Sequence, residues 1–293
     1  MIHVVTVHWM DPKWIDPQLG YLRRNLDLPY RTWASLEGID DPAVRARFDV
    51  VEDFEGMHAD KLNALADLVV ESADPDDLLV FIDGDAFPIR SVGSWMVDLL
   101  RRAPLAAVRR DENQHERQPH PCFCVTTVGL WTQLGADWRP GGTWTSPGGE
   151  QVTDVGGTLL NQLQDAGIEW LPLVRSNAND LHPVWFAVYA EHIYHHGAGF
   201  RRRVSRVDVA SHGDLASPRL RDTARLYRQR HQGPKDLVSK VTAANMRRVW
   251  HGMRQELPTS DQSRYLAEAT ALSDGIYHDL STDPSFYQRF ETN

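Results

Sequence analysis

The first stretch of the chain alternates two patterns. Short apolar runs at residues 2–8 and 31–36 read as strands, and residues 59–72 carry Leu62, Leu65, Ala66 and Val69 at the spacing of one helical face. A run of five apolar residues, Leu78 to Ile82, follows at once and fits a strand covered on both sides. Residues 91–103 then return to helical spacing through Trp95, Val97, Leu99 and Leu100, and residues 105–109 to a strand. Strands at 123–128 and 168–174 flank a helix over 155–166, and residues 187–196 alternate towards a pair of histidines. Such alternation predicts an α/β fold, a mixed sheet flanked by helices.

From about residue 211 the strand pattern stops. Helical segments are predicted near 219–231, 235–255 and 260–273, separated by Gly233-Pro234 and Pro258. The expected organisation is therefore a catalytic α/β domain over 1–210 and an α-helical C-terminal extension over 211–293.

The central apolar strand ends in Asp83-Gly84-Asp85. Two carboxylates at the end of a buried strand are costly unless a cation meets them. Ligands of open α/β sheets bind beyond the carboxyl ends of the strands, where these aspartates fall. Magnesium and manganese favour oxygen donors and leave positions open for diphosphate oxygens. The motif thus points to a metal-diphosphate site.

Composition narrows the alternatives. The net charge of −9 disfavours nucleic acid as a partner, although arginines cluster at Arg201, Arg202, Arg203 and Arg206 and again over 219–230. No apolar stretch reaches the roughly 20 residues of a membrane-spanning helix. The opening Met-Ile-His-Val-Val-Thr-Val reads as a strand and not as a secretory signal, so a cytoplasmic location without a transmembrane segment is expected. The two cysteines, Cys122 and Cys124, are spaced for one face of a strand, a geometry poorly suited to a disulfide, and are expected to be reduced.

The order of these features resembles the nucleotide-sugar-dependent glycosyltransferases of the GT-A fold. The resemblance covers residues 1–205 and rests on the strand Val4-Val5-Thr6-Val7, on Asp83-Gly84-Asp85, and on His196-Gly197-Ala198-Gly199-Phe200-Arg201-Arg202. That last element is similar to the His-x-x-Gly-x-x-Lys element of the glycogenin-like and galactosyltransferase-like group, with Arg202 in place of the lysine. The resemblance implies a Rossmann-like sheet and an enzyme that moves a sugar from a UDP- or GDP-sugar donor to a hydroxyl-bearing acceptor. It also implies Mn2+ or Mg2+ held by Asp83, Asp85 and a late histidine. Strand alternation lets only one of the adjacent histidines face the site, and His196 is expected there in preference to His195.

Further candidates follow from position. His58 and Lys61 share one helix face, and the resemblance implies that they, with His195 and Arg202, approach the donor. Thr6 and Trp9 close the first strand and could meet the nucleotide. Trp138 and Trp144 lie in the acceptor half, where aromatic faces could stack on a sugar. An inverting transfer needs a general base, for which Asp154 is the candidate; in a retaining transfer it would bind sugar hydroxyls instead. The alternative for Asp154 is a helix N-cap. Two rival functions remain. A nucleotidyltransferase would carry a glycine-rich basic loop after its first strand, where this chain has His8-Trp9-Met10-Asp11-Pro12. A catalytically silent carbohydrate- or nucleotide-binding protein would keep the fold without turnover.

Overall fold

A computed structural model describes residues 1–113, 115–145, 151–177, 186–197, 260–283 and 285–286. The chain divides into two compact units. The first comprises Met1–Leu181, Trp185–Phe200 and Tyr287–Asn293, and the second His182–Val184 and Arg201–Phe286. The expected boundary at residue 210 and the expected helices over 219–231 and 235–255 lie outside the described residues.

The first unit is built on a seven-stranded sheet, ordered β10-β6-β7-β4-β1-β2-β3. Its strands are β1 (Ile2–Trp9), β2 (Tyr30–Glu37), β3 (Val50–Val51), β4 (Leu78–Ile82), β6 (Leu105–Val108), β7 (His120–Thr127) and β10 (Leu171–Leu173). All pair in parallel except β7, which runs antiparallel to both β4 and β6. The expected mixed α/β sheet is therefore present, and β4 lies inside it between β1 and β7.

Side-chain alternation sorts the sheet into two faces. Val4, Val80, Ile82 and Val125 join the core formed with α1 (Ile15–Asn25) and α4 (Gly93–Arg102). Val5, Leu79, Phe81 and Cys124 join the core formed with α3 (His58–Val70), α5 (Val128–Leu134) and α6 (Gly157–Asp165). A short helix α2 (Pro42–Arg45) links β2 to β3.

A three-stranded antiparallel sheet, β11 (Ala187–Tyr189), β12 (Ile193–His195) and β5 (Ala86–Pro88), stands beside the large one. A third pair joins β8 (Trp144–Thr145) to β9 (Gln151–Val152). Asp83-Gly84-Asp85 is the turn by which the chain leaves β4 in the large sheet and enters β5 in the small one. The turn closes with the Ala86 N–H donating to the Asp83 carbonyl at 2.9 Å.

In the second unit a helix, α7 (Ser260–Thr282), extends well past the predicted 260–273. Among the described residues no helix is long and apolar enough to cross a membrane. Both cysteines are free and buried, as expected of reduced thiols.

Candidate active site

Three side chains able to ligate a metal converge where β4 ends: Asp83, Asp85 and His195 offer one donor atom each, all within 4.8 Å of one another. Their meeting follows from strand register. His195 pairs with Ala86 across the small sheet, which carries its imidazole beside the Asp83-Gly84-Asp85 turn. His195 Nε2 lies 3.5 Å from Asp85 Oδ1 and 3.7 Å from Asp83 Oδ2.

The other histidine of the pair turns away, contrary to the expectation that His196 would be the ligand. Strand alternation puts His196 on the side of Tyr194, whose hydroxyl lies 2.9 Å from His196 Nδ1. The ring packs against Trp14 and Phe186 with centroids 4.3 and 4.5 Å away. Burial drives its pKa down to about 3, so it stays neutral in the core. The His196 backbone still serves the turn, its N–H donating to the Asp85 carbonyl at 3.0 Å.

The electrostatics of the cluster are those of buried acids with basic neighbours. Burial pushes the Asp83 carboxyl up; His58 and His195 pull against that, and Asp85 adds to it. His58, the first residue of α3, places Nε2 3.3 Å from Asp83 Oδ1. Burial would lower His195, but the Cys122 sulfur and Asp85 override it and hold the imidazole well above its ordinary range. His120, its ring tilted against that of His195 with centroids 6.2 Å apart, is pushed well down by burial and then by Arg110. The Cys122 backbone N–H donates to His120 Nδ1 at 3.1 Å, which makes Nδ1 an acceptor and leaves the ring proton on Nε2.

The donor set fits a divalent cation. Asp83 Oδ1 is buried and accepts no hydrogen bond among the described residues, its basic neighbour being His58 Nε2 at 3.3 Å. Two carboxylates with an imidazole match the oxygen preference of manganese and magnesium, the imidazole favouring the transition metal.

Flanking residues divide into those near the cluster and those spent elsewhere. Lys61 is buried with its ammonium on Glu37 at the end of β2, and burial lowers its pKa. Trp9 closes β1 with half its surface open, 51% exposed. The Thr6 side chain is buried and shares its hydroxyl with Gln18. Trp138 has no free face for an acceptor. It is fully buried, 5.1 Å from Phe81 and 5.7 Å from Trp131 between ring centroids. Trp144 is half-buried in the β8–β9 pair, and Arg202 lies outside the described residues.

Asp154 is not a helix cap. The N-cap of α6 is Gly156, whose φ of +84° and close approach to the Pro119 carbonyl, 1.9 Å from where a Cβ would stand, admit only glycine. Asp154 instead accepts from Arg110 Nη2 at 2.8 Å and from the Val155 N–H at 2.8 Å, with its side chain 40% exposed.

Sequence reasoning missed Arg110 and Glu116. Arg110 grips Glu116 with two bonds, Nε to Oε2 at 2.8 Å and Nη2 to Oε1 at 2.5 Å. Burial works against the Arg110 charge, but Glu116 and Asp154 more than offset it and hold the guanidinium well above its ordinary range. Burial raises Glu116 to about 7 against the pull of Arg110. A polar stretch in which a glutamate follows an arginine by six residues gave no distinguishing signal.

No protein-family model matches the chain, and no curated protein matches it in sequence. Among solved structures, S. aureus TarS aligns at 10% identity over 47% of this chain and 30% of its own, with a TM-score of 0.36. The galactosyltransferase LgtC, in complex with donor and acceptor sugar analogues, aligns at 13% over 58% of this chain and 73% of its own, TM-score 0.39. The Pyrobaculum calidifontis mannosyltransferase PcManGT, in complex with GDP-Man and Mn2+, aligns at 15% over 98% of this chain and 84% of its own, TM-score 0.41. This chain thus spans less than a third of the TarS chain. At these identities and TM-scores the likeness carries no argument about what the chain does.

Proposed function

We propose that this chain transfers a sugar from a nucleotide-diphosphate donor to a hydroxyl acceptor, with Asp83, Asp85 and His195 holding a divalent metal. The observation that carries the reading is the convergence of these three side chains where a buried, centrally placed strand ends. That is where ligands of open α/β sheets bind.

The residues divide the work. A divalent ion bound there supplies positive charge where a departing diphosphate accumulates negative charge. Asp83 and Asp85 would hold it through oxygen. His195 joins them once its proton has gone, so binding releases a proton and weakens as pH falls. His58 at the N-terminus of α3 lies against Asp83 and faces the same anion. Lys61 stands behind with its charge already paired to Glu37, an exposed partner that a diphosphate can replace. Trp9 offers an open aromatic face at the end of β1 for the nucleoside base. On the acceptor side Asp154, held by Arg110 and 40% exposed, is our candidate to meet a sugar hydroxyl.

Thermal unfolding with UDP, GDP, ADP, CMP and dTDP, each with and without Mn2+, tests the reading. Ligands that bind only the folded state raise its midpoint by mass action. Manganese-dependent stabilisation by one diphosphate is expected, lost in Asp85→Ala. A folded protein that no nucleotide stabilises would overturn the reading and leave a carbohydrate-binding protein without turnover as the alternative.

A further inference from the structure

We propose that Gln18 is a positioning residue of the metal site, resting on the reading above: its buried amide sets the backbone from which Asp83 and Asp85 project. Gln18 lies on α1, far from Asp83-Gly84-Asp85 in sequence, and is completely buried. Its Nε2 donates to the Asp83 carbonyl at 2.8 Å and to the Ala86 carbonyl at 3.1 Å, the two ends of the turn. Its Oε1 lies 2.9 Å from His8 Nε2 and 3.3 Å from the Thr6 hydroxyl.

This arrangement admits one amide orientation. Carbonyl oxygens only accept, so the NH2 must face the turn and the oxygen must face β1. His8 must then carry its proton on Nε2. The lowering of the His8 pKa to about 4 agrees, since it keeps the ring neutral. Gln18 therefore ties the turn to the end of β1, while the Ala86 N–H holds it from within and the N–H of His196, the residue after β12, holds it from the other side. A turn held from three directions keeps two carboxylates at a fixed separation, and outer residues of this kind typically govern metal affinity by about 10- to 100-fold.

Asn25 supplies the control. It lies two helical turns further along α1, is also buried, and donates to the Pro88 carbonyl at 2.6 Å, at the far end of β5. It anchors the same strand without touching the turn.

The test is Mn2+ titration by calorimetry of the wild-type chain, Gln18→Met and Asn25→Leu, with circular dichroism to establish folding. Gln18→Met is expected to weaken Mn2+ binding by about 10- to 100-fold, and Asn25→Leu to lower the unfolding midpoint with unchanged Mn2+ affinity. Equal Mn2+ affinity in wild type and Gln18→Met overturns the proposal and leaves the metal site standing. Equal losses in both variants also overturn it, because the effect would then be one of general packing. A wild-type chain that binds no Mn2+ removes the metal site and the proposal together. Should Gln18→Met not fold, Thr6→Val, which strips from the Gln18 amide the hydroxyl that meets both Oε1 at 3.3 Å and Nε2 at 3.2 Å, is expected to weaken Mn2+ binding by a smaller factor, and unchanged affinity there overturns the role.

Discussion

At the scale of single residues the decisive contrast is between His195 and His196. They are neighbours in sequence, yet one stands among carboxylates and the other among Trp14, Phe186 and Tyr194. The sequence supplied the rule, that alternation exposes one of the two, without the phase. Phase depends on which residue pairs with Ala86, and a three-residue strand gives no pattern from which to read it. The contrast is testable. His195→Ala is expected to weaken Mn2+ binding by at least about a hundredfold, because even outer-shell partners are worth about 10- to 100-fold. His196→Phe is expected to leave that affinity unchanged and to lose about 1 to 3 kcal/mol of stability in denaturant, the cost of a buried hydroxyl deprived of a partner. Similar Mn2+ affinities for the two variants would mean that the metal, if bound, is not held by His195.

At the scale of elements, legibility followed simplicity of environment. β1, β2, α3 and β4 were readable because most of their buried positions are apolar, Thr6, Ser35 and Lys61 being among the exceptions, so the period still shows. The helix α1 escaped notice although Ile15, Leu19, Leu22 and Leu26 mark its inner face. Gln18 and Asn25 interrupt that face, and Pro17 and Gly20 weaken the helical signal. The interruption has a cause: these polar residues satisfy the carbonyls of the turn and of β5. The features that hid the helix are those that serve the site. Nothing local in the stretch between β6 and β7 announces that Arg110 will close on Glu116 and Asp154. Because Glu116 is almost fully buried, 1% exposed, removing its partner is costly. Arg110→Met is expected to destabilise by about 3 to 5 kcal/mol in equilibrium unfolding, as for other buried pairs broken on one side. Trp138→Ala belongs to the same scale. Deleting an indole packed between Phe81 and Trp131 is expected to cost about 3 to 5 kcal/mol, and a loss much below that would contradict its place in the core.

At the scale of the whole molecule, buried titratable groups oppose one another across the acid range. His8 falls from 6.5 to about 4 because it is buried. The unfolded chain protonates this residue below 6.5 while the folded one resists until about 4. His8 therefore stabilises the fold fully above 6.5 and loses that contribution as pH drops towards 4, a change on the order of 3 kcal/mol. His196 acts in the same sense down to about 3. Glu116 acts in the opposite sense. Its carboxyl rises from 4.5 to about 7, so its contribution is complete below 4.5 and is lost as pH rises through 7. The two trends partly cancel in the intact chain, and substitution separates them. His8→Gln keeps a donor for Gln18 and removes the titration. In unfolding measured from pH 7 to pH 4, stability of this variant is expected to decline less steeply than that of the wild type, by about 3 kcal/mol over the interval. Parallel profiles would show that His8 titrates alike in both states, and with it would go the neutral Nε2–H tautomer on which the orientation of the Gln18 amide depends.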